Sequence, residues 1–253
     1  DLYYTLLLKD TGCSSNAARL WELYGGDDLR TKHDFKRVDS QSLLQLARFV
    51  LRHAGPGEAL RARIKRLVNL YRNGDALATE LVHTRCERGA DIVRRLGFGE
   101  AVAAGIFSLD EHWNGKGRPQ GLRGEYIPIG ARIALLAQVV DVFNTVGGER
   151  AVETEVRRRT GAWFDPQVSR AFFAVARSPA FWSGLRPEGL EERVVALEPD
   201  ASTVLVDEPR LDSIAEAFAD IIDAKSSFTY GHSQRVARYA DAIAAELEVP
   251  ESR

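Results

Sequence analysis

Apolar residues recur at three- and four-residue spacing along most of this chain, and this pattern constrains the fold more than any other feature. Leu2, Leu6 and Leu7 begin it. Such spacing places side chains on one face of an α-helix, so it predicts helices rather than strands. We therefore predict an all-α protein, with Asp165 capping its last helix before the C-terminal region. The predicted helices up to that point cover residues 2–11, 16–24, 40–53, 58–71, 76–96, 129–144 and 166–176.

The C-terminal part of the chain changes character near residue 195. Residues 193–206 contain Val and Leu around a Pro-Asp pair, which predicts an extended linker that holds at most a short strand. Two amphipathic helices are predicted after it, over residues 211–222 and 236–247. These boundaries predict three parts, namely a helical domain at 1–195, a linker at 196–210, and a separate opening of a second unit at 211–253.

Composition and charge exclude several classes of protein. The 253 residues carry 34 Lys and Arg against 36 Asp and Glu, a net charge of −2, which argues against a nucleic-acid or membrane surface defined by its charge. No uninterrupted apolar stretch reaches the roughly 20 residues of a membrane helix, so we expect a soluble, cytoplasmic protein. The two cysteines, Cys13 and Cys86, lack a metal-binding spacing and are predicted to be reduced thiols.

A glycine-rich segment is the strongest local signal for a site. Residues 110–122 read DEHWNGKGRPQGL and place two cations, Lys116 and Arg118, on a tight loop beside Asp110 and His112. Backbone N–H groups and cations on such a loop can contact a phosphate. The alternative is a structural loop whose cations are solvated. His232, at the start of the last helix, can likewise be a helix-cap residue or a metal ligand.

Several motifs together resemble a known family. Residues 6–12 (LLLKDTG) resemble the motif in which a His-Asp pair ends a helix in HD-domain metal phosphohydrolases. Residues 113–122 (WNGKGRPQGL), followed by GEYIP and ARI, resemble the signature of the HD-GYP subfamily, and residues 160–166 (TGAWFDP) are similar to its closing motif. The resemblance implies an HD-domain helical bundle over residues 1–195 that lacks its first helix.

A second, shorter match follows at the C-terminus. Residues 222–225 (IDAK) and 230–237 (YGHSQRVA) resemble the opening helices of another HD-GYP module, with His232 at the position of its first metal-binding histidine. The resemblance thus implies a tandem of two modules, the second of which only begins in this chain.

The family is associated with two transition metals, usually iron or manganese, and with hydrolysis of cyclic di-GMP. Two metals would neutralise the phosphate and activate a hydroxide. At the matching positions, however, Lys9 replaces the histidine of the His-Asp pair and Arg85 replaces the next ligand histidine. At the positions of the family's site residues, only Asp10 and Lys116 still resemble the family. The other replacements are Leu109 and Asp110 for the paired histidines, Gln138 for a carboxylate, and Arg118 for the signature tyrosine.

These departures lead to three hypotheses. The first is a catalytically degenerate regulatory or sensory module, without a cofactor in its first module, in which Lys9, Arg85, Lys116 and Arg118 bind a nucleotide or phosphate without cleaving it. The second is an active metal-dependent phosphodiesterase with two transition metals. The third is a dimerisation module, with a second copy or a partner module as its contact. The weaker candidates for metal ligands are Asp10, Asp110, His112 and His232.

Overall fold

The computed structural model describes residues 1–13, 48, 49, 52, 60–199, 206–224 and 231–249, and these residues are almost entirely helical. Within them lie nine named α-helices and a short 3₁₀ turn at Gly124–Tyr126, but no β-strand. The prediction of an all-α fold is therefore confirmed. The helices are α1 (Leu2–Leu8), α2 (Leu60–Arg95), α3 (Glu100–Phe107), α4 (Ile129–Arg159), α5 (Pro166–Val175), α6 (Pro179–Gly184), α7 (Leu190–Val195), α8 (Glu208–Asp223) and α9 (His232–Glu246).

Two helices are longer than the sequence predicts. We expected separate helices at 58–71 and 76–96, whereas α2 runs without interruption through Asn73 and Gly74. A single interior glycine costs only about 1 kcal/mol, so the long helix tolerates it. The predicted helix at 129–144 continues to Arg159, with non-helical backbone at Gly148 (φ 65°, ψ −167°) that divides α4 into two segments.

One hydrophobic cluster joins α2, α3 and α4, and α1 packs onto it. Ile106 and Val93 are fully buried there, and Tyr4 of α1 covers one side. The close approach of α1 needs a glycine, because a Cβ on Gly105 would lie 2.8 Å from Thr5 Cγ2. The buried members are Ala90, Val93, Val102, Ala103, Ile106, Leu109 and Ala134.

A second hydrophobic cluster joins α4 to α5 and the short helix α6. Asp165 begins α5 as its sequence predicts, since its carboxylate accepts a hydrogen bond of 2.7 Å from the Gln167 N–H. Partly buried aromatic side chains such as Trp163 and Trp182 close the cluster. Its buried members are Leu135, Leu136, Val139, Val140, Val152, Val156, Phe164, Phe172 and Ala176.

The C-terminal helices follow the predicted pattern, but the segment before them does not. Residues predicted as part of an extended linker, 193–195, belong to helix α7, and 208–210 already belong to α8. Local i→i+4 bonding explains the difference at α7, because the Ala196 N–H donates to the Glu192 carbonyl. Helices α8 and α9 agree with the predictions and contact each other, and α8 also contacts α2.

Some predictions fall outside the described residues. These include the helix at 16–24, most of the one at 40–53, and the middle of the linker at 200–205. The three-part division at residues 195 and 210 stays a prediction.

One helix among the described residues, α4, is long and apolar enough to cross a membrane, with 39% of its most apolar window buried in the protein. A core helix passes the same test, and α4 contributes buried residues to both hydrophobic clusters, among them Ala134 to the first and Leu135 to the second.

Candidate functional site

The end of α1 and the middle of α2 meet where the sequence resembles a His-Asp motif. Gly12 lies directly against α2, since a Cβ at this position would lie 2.0 Å from the Arg85 carbonyl oxygen and 2.8 Å from the Gly89 nitrogen. This approach requires a glycine. It brings Lys9 and Asp10 to the same region of the bundle as Arg85, as the sequence match implies.

Arg85 forms an ion pair with Asp110, which lies just after α3. The Arg85 Nη2 atom donates to the Asp110 carboxylate, and 22% and 30% of the two side chains are exposed. Burial, the largest single influence, lowers the pKa of Arg85, but the effects of Asp110, Cys86 and Cys13 together outweigh it and raise the pKa above the ordinary value. The guanidinium therefore stays charged. The carboxylate that the structure places against Arg85 is thus Asp110.

Lys9 pairs with Asp10, its neighbour in sequence. The Cys13 thiol also donates to Asp10 Oδ1, at 3.2 Å. On the other side of the junction, Cys86 Sγ lies 4.0 Å from Asp110 Oδ2. Burial, with the nearby Asp110 charge, raises the pKa of Cys86 to about 12, so this thiol is protonated near neutral pH. Neither cysteine forms a disulfide, in agreement with the predicted reduced thiols.

The glycine-rich loop folds around a buried carboxylate. Glu111 is 1% exposed, and its Oε1 accepts hydrogen bonds from the Gln120 and Gly121 N–H groups at 2.6 and 3.0 Å. Burial raises the pKa of Glu111, although these backbone donors oppose the rise. A Cβ on Gly117 would lie 2.1 Å from the His112 nitrogen, so the loop needs a glycine there.

The cations of this loop face different surroundings. Lys116 is exposed, while its backbone N–H donates to Asn114 Oδ1 at 3.0 Å. Arg118 reaches back to α2, where it pairs with Asp75 and its Nε donates to Thr79 Oγ1 at 3.0 Å. Asp75 precedes Arg85 by ten residues, a distance of about 15 Å along a helix. Arg118 is therefore anchored away from the Arg85 junction.

The histidine candidates lie in different environments. The ring of His112 is buried and stacks on Trp163, with 4.2 Å between ring centroids and 18° between planes. The Arg159 guanidinium lies 4.1 Å from the centroid of the Trp163 ring. His112 is thus part of an aromatic stack. His232 is exposed at the first position of α9.

The described residues do not fit a two-metal centre. They contain no group of three or more His, Cys, Asp or Glu side chains placed to hold a metal ion. At the junction, each carboxylate has an adjacent cation, Asp10 with Lys9 and Asp110 with Arg85. Protonated ammonium and guanidinium groups have no lone pair for a metal. The hypotheses that the first module binds no cofactor, and that an active enzyme would bind two transition metals, both remain predictions.

Several residues of this region were not candidates from sequence. Nothing in the sequence marked Asp75 and Thr79 as site residues, although their i, i+4 spacing places both on one face of a helix. Glu111 lies within the loop segment, and only its burial under Gln120 and Gly121 reveals its role in shaping the loop.

Two surface cavities are lined by other parts of the chain. A shallow one of about 400 Å³ lies at the division of α4, beside Phe143 and Arg150. Another of about 440 Å³ is lined by Arg177, Trp182 and Arg186. Neither includes Lys9, Arg85 or Asp110.

Comparison with known proteins identifies relatives of the chain. Residues 65–168 match the family model of the HD domain. Across 252 residues the chain is 46% identical to a curated protein, 3'3'-cGAMP-specific phosphodiesterase 3 of Vibrio cholerae serotype O1, covering 100% of this chain and 55% of that protein. A crystal structure of a cyclic GMP-AMP specific phosphodiesterase from V. cholerae is 40% identical, with a TM-score of 0.70, over 100% of this chain and 56% of that one.

The chain spans about half the length of the relatives that it matches. The likeness supports an HD-domain phosphohydrolase more strongly than the first hypothesis, a degenerate regulatory module. The HD domain predicted from the sequence is confirmed over residues 65–168 of this chain.

Proposed function

We propose that the protein to which this chain belongs is a phosphodiesterase that hydrolyses a 3',3'-linked cyclic dinucleotide. The observation that carries the proposal is 46% identity along the whole chain to a protein named as a 3'3'-cGAMP-specific phosphodiesterase. This substrate class replaces the cyclic di-GMP that the subfamily resemblance suggested. Assignment to the HD-GYP subfamily is part of the same proposal and rests on the motifs at 113–128 and 160–166.

The metal centre of this enzyme would not be built from the junction of α1, α2 and α3. There Lys9 and Arg85 stand next to the carboxylates that metals would need. Removing the partner of a partly buried carboxylate to make room for a metal would cost stability. We therefore place the hydrolytic centre in the second module that the resemblance implies, of which residues 211–253 would be only the opening, with His232 as the candidate ligand that this chain contributes.

A hydrolysis assay tests the proposal directly. The polypeptide that carries this chain, prepared at the length of its relatives and loaded with Mn²⁺ or Fe²⁺, should linearise 3'3'-cGAMP, whereas residues 1–253 alone should not. Cyclic di-GMP is the control substrate. Failure of the longer protein to cleave either dinucleotide would overturn the function. Cleavage by residues 1–253 alone would keep the function and overturn the location of the centre.

A second candidate function, ligand binding without hydrolysis, is favoured by the same ion pairs. Because Arg85 keeps its charge beside Asp110, an anionic phosphate could exchange with that carboxylate. Thermal-shift titration of residues 1–253 with 3'3'-cGAMP tests this, with Arg85→Gln as the variant and Arg94→Gln as its matched control. A stabilisation that Arg85→Gln abolishes and Arg94→Gln preserves supports binding there. No stabilisation at millimolar ligand contradicts it.

Self-association remains part of the proposal. Both C-terminal helices expose large apolar side chains, such as Phe218 and Tyr239 at 56% and 65% exposure. Such surfaces often mark contacts between proteins. Sedimentation of the chain at several concentrations measures the expected dimer.

A further inference from the structure

Helix α8 buries few of its side chains. Among its 16 residues only Ala217 and Asp223 are fully buried, while Leu211 and Ile222 are 60% and 66% exposed. One buried alanine and the partly buried Ile214 and Ile221 remove less apolar area from water than the fully buried side chains of a core helix. Hydrophobic burial therefore holds this helix only weakly on the bundle.

Arginine side chains make the polar contacts that hold α8 on the end of α2. Arg95, in the last turn of α2, donates to Asp220 Oδ2 at 2.6 Å, and Arg88 donates to the Asp220 carbonyl at 3.3 Å. In the other direction, Arg210 of α8 donates to the Leu96 carbonyl at 2.6 Å. Three charge-assisted hydrogen bonds thus fix α8 across the end of α2.

Gly97 makes the third of these contacts possible. The Arg210 guanidinium fills the space where a Cβ would stand, since that atom would lie 1.8 Å from Nη2. The backbone at Gly97 also has φ +80°, which favours glycine.

The last turn of α8 also holds α9. Asp223 accepts hydrogen bonds from the Ser233 N–H and hydroxyl at 2.9 and 2.8 Å. Gln234 of α9 donates to Asp220 Oδ1 at 3.4 Å, so Asp220 contacts both the bundle and α9. Helices α8 and α9 are tied to each other independently of α2.

We propose that α8 can dissociate from the end of α2, and that the contacts of Asp220 hold the helix in its bound position. The pair α8–α9 leaves the end of α2 as a unit while the bundle of α1–α6 stays folded. The Arg95 and Asp220 side chains are 41% and 24% exposed, so dissolved ions screen their attraction. Apolar contacts within the bundle are not screened in this way. Undocking would change the position of α9, and with it His232, relative to the bundle.

Hydrogen exchange of the whole chain, followed by mass spectrometry, tests whether Asp220 holds α8 on the end of α2. Asp220→Ala should accelerate exchange in peptides from 208–223 about tenfold, the effect of one lost charge-assisted bond. Asp212→Ala, an exposed aspartate on the same helix, is the matched control and should leave the rate unchanged. On α2, Arg95→Gln should act like Asp220→Ala. Arg94→Gln should not, because Arg94 pairs with Asp91 and Glu100.

Ionic strength provides a test on the unmodified chain. Raising NaCl from 0.05 to 1 M should accelerate exchange in 208–223 but not in 129–176, and Asp220→Ala should remove this dependence. The exchanged pair Arg95→Asp with Asp220→Arg should restore slow exchange. Equal acceleration in 208–223 and 129–176 would overturn the proposal, because α8 would then open only with the whole fold. A rate in 208–223 that neither salt nor Asp220→Ala changes would overturn it equally.

Discussion

The α4–α5 region and the C-terminal helix pair are both helical, yet different forces hold them. Nine side chains of the first region are buried in one apolar cluster, including Phe164 at 1% exposure. In α8 and α9, the buried residues are Ala217 and Asp223, and Phe218 is 56% exposed. Amphipathic helices with similar sequence patterns therefore differ in stability according to what packs on them, because apolar burial supplies most of a domain's stability.

Equivalent truncations in the two regions should give the largest contrast. Phe164→Ala removes a fully buried ring and should lower the free energy of unfolding by about 3–5 kcal/mol. Phe218→Ala removes an exposed ring and should lower it by less than about 1 kcal/mol. Urea unfolding of the two variants measures both values. Similar losses would mean that α8 has an apolar partner in solution.

The Arg85–Asp110 ion pair is the next most sensitive feature. Arg85→Gln leaves the Asp110 carboxylate without its counter-charge, and we expect a loss of about 1–3 kcal/mol, less than for a fully buried pair because both groups are partly exposed. Replacing both partners, Arg85→Met with Asp110→Leu, should cost less than Arg85→Gln alone.

A more exposed pair serves as the control for that experiment. Arg94→Gln breaks contacts whose side chains are 43% and 69% exposed, and it should change stability by about 0.5 kcal/mol or less. If urea unfolding gives the two arginine variants equal stability, the junction is not held by its charges.

Glu111 should make the bundle sensitive to pH in a defined direction. Its folded pKa is raised above the unfolded value, so its contribution to stability is fully present below pH of about 4.5 and is lost as the pH rises through the folded pKa. Glu111→Gln keeps an oxygen for the Gln120 and Gly121 donors but cannot ionise. Its stability relative to the unmodified protein should therefore improve between pH 4 and pH 7.

Thermal unfolding at several pH values measures this effect. Glu125→Gln, at an exposed position in the 3₁₀ turn that follows the loop, is the control. Parallel pH profiles for the unmodified protein and Glu111→Gln would show that Glu111 ionises without cost in the fold.

Asp223 should respond to pH in the opposite sense, with the smallest effect. Burial raises its pKa, but the Ser233 hydrogen bonds and the charges of His232 and Arg235 together outweigh burial and lower the pKa. The contribution of Asp223 to stability is therefore present above pH of about 4 and is lost as the pH falls through the folded pKa. In the unmodified protein, the protection of the amides at the start of α9, measured as the intrinsic exchange rate at each pH divided by the observed rate, should fall in acid. Asp223→Asn should remove that dependence, and an identical acid response in both proteins would contradict the role of Asp223.

The site was only partly predictable. Motif order identified the HD domain. The carboxylate partner of Arg85 was not predicted, because Asp110 reaches it from the turn after α3, 25 residues later in the chain. Likewise, the sequence presented Lys116 and Arg118 as one cationic loop, whereas the contact of Arg118 with Asp75 and Thr79 separates them.

Apolar periodicity by itself determined that this protein is helical, and it located α4, α5, α8 and α9, because the spacing of side chains on a helix is a local property of the backbone. The glycine content of residues 110–122 also predicted a tight loop. Only the tertiary structure decided that α2 is one helix, which charges are paired, and that α8 is held by arginines. These outcomes depend on which surfaces meet, and the distance between two side chains in space is not a function of their separation in sequence.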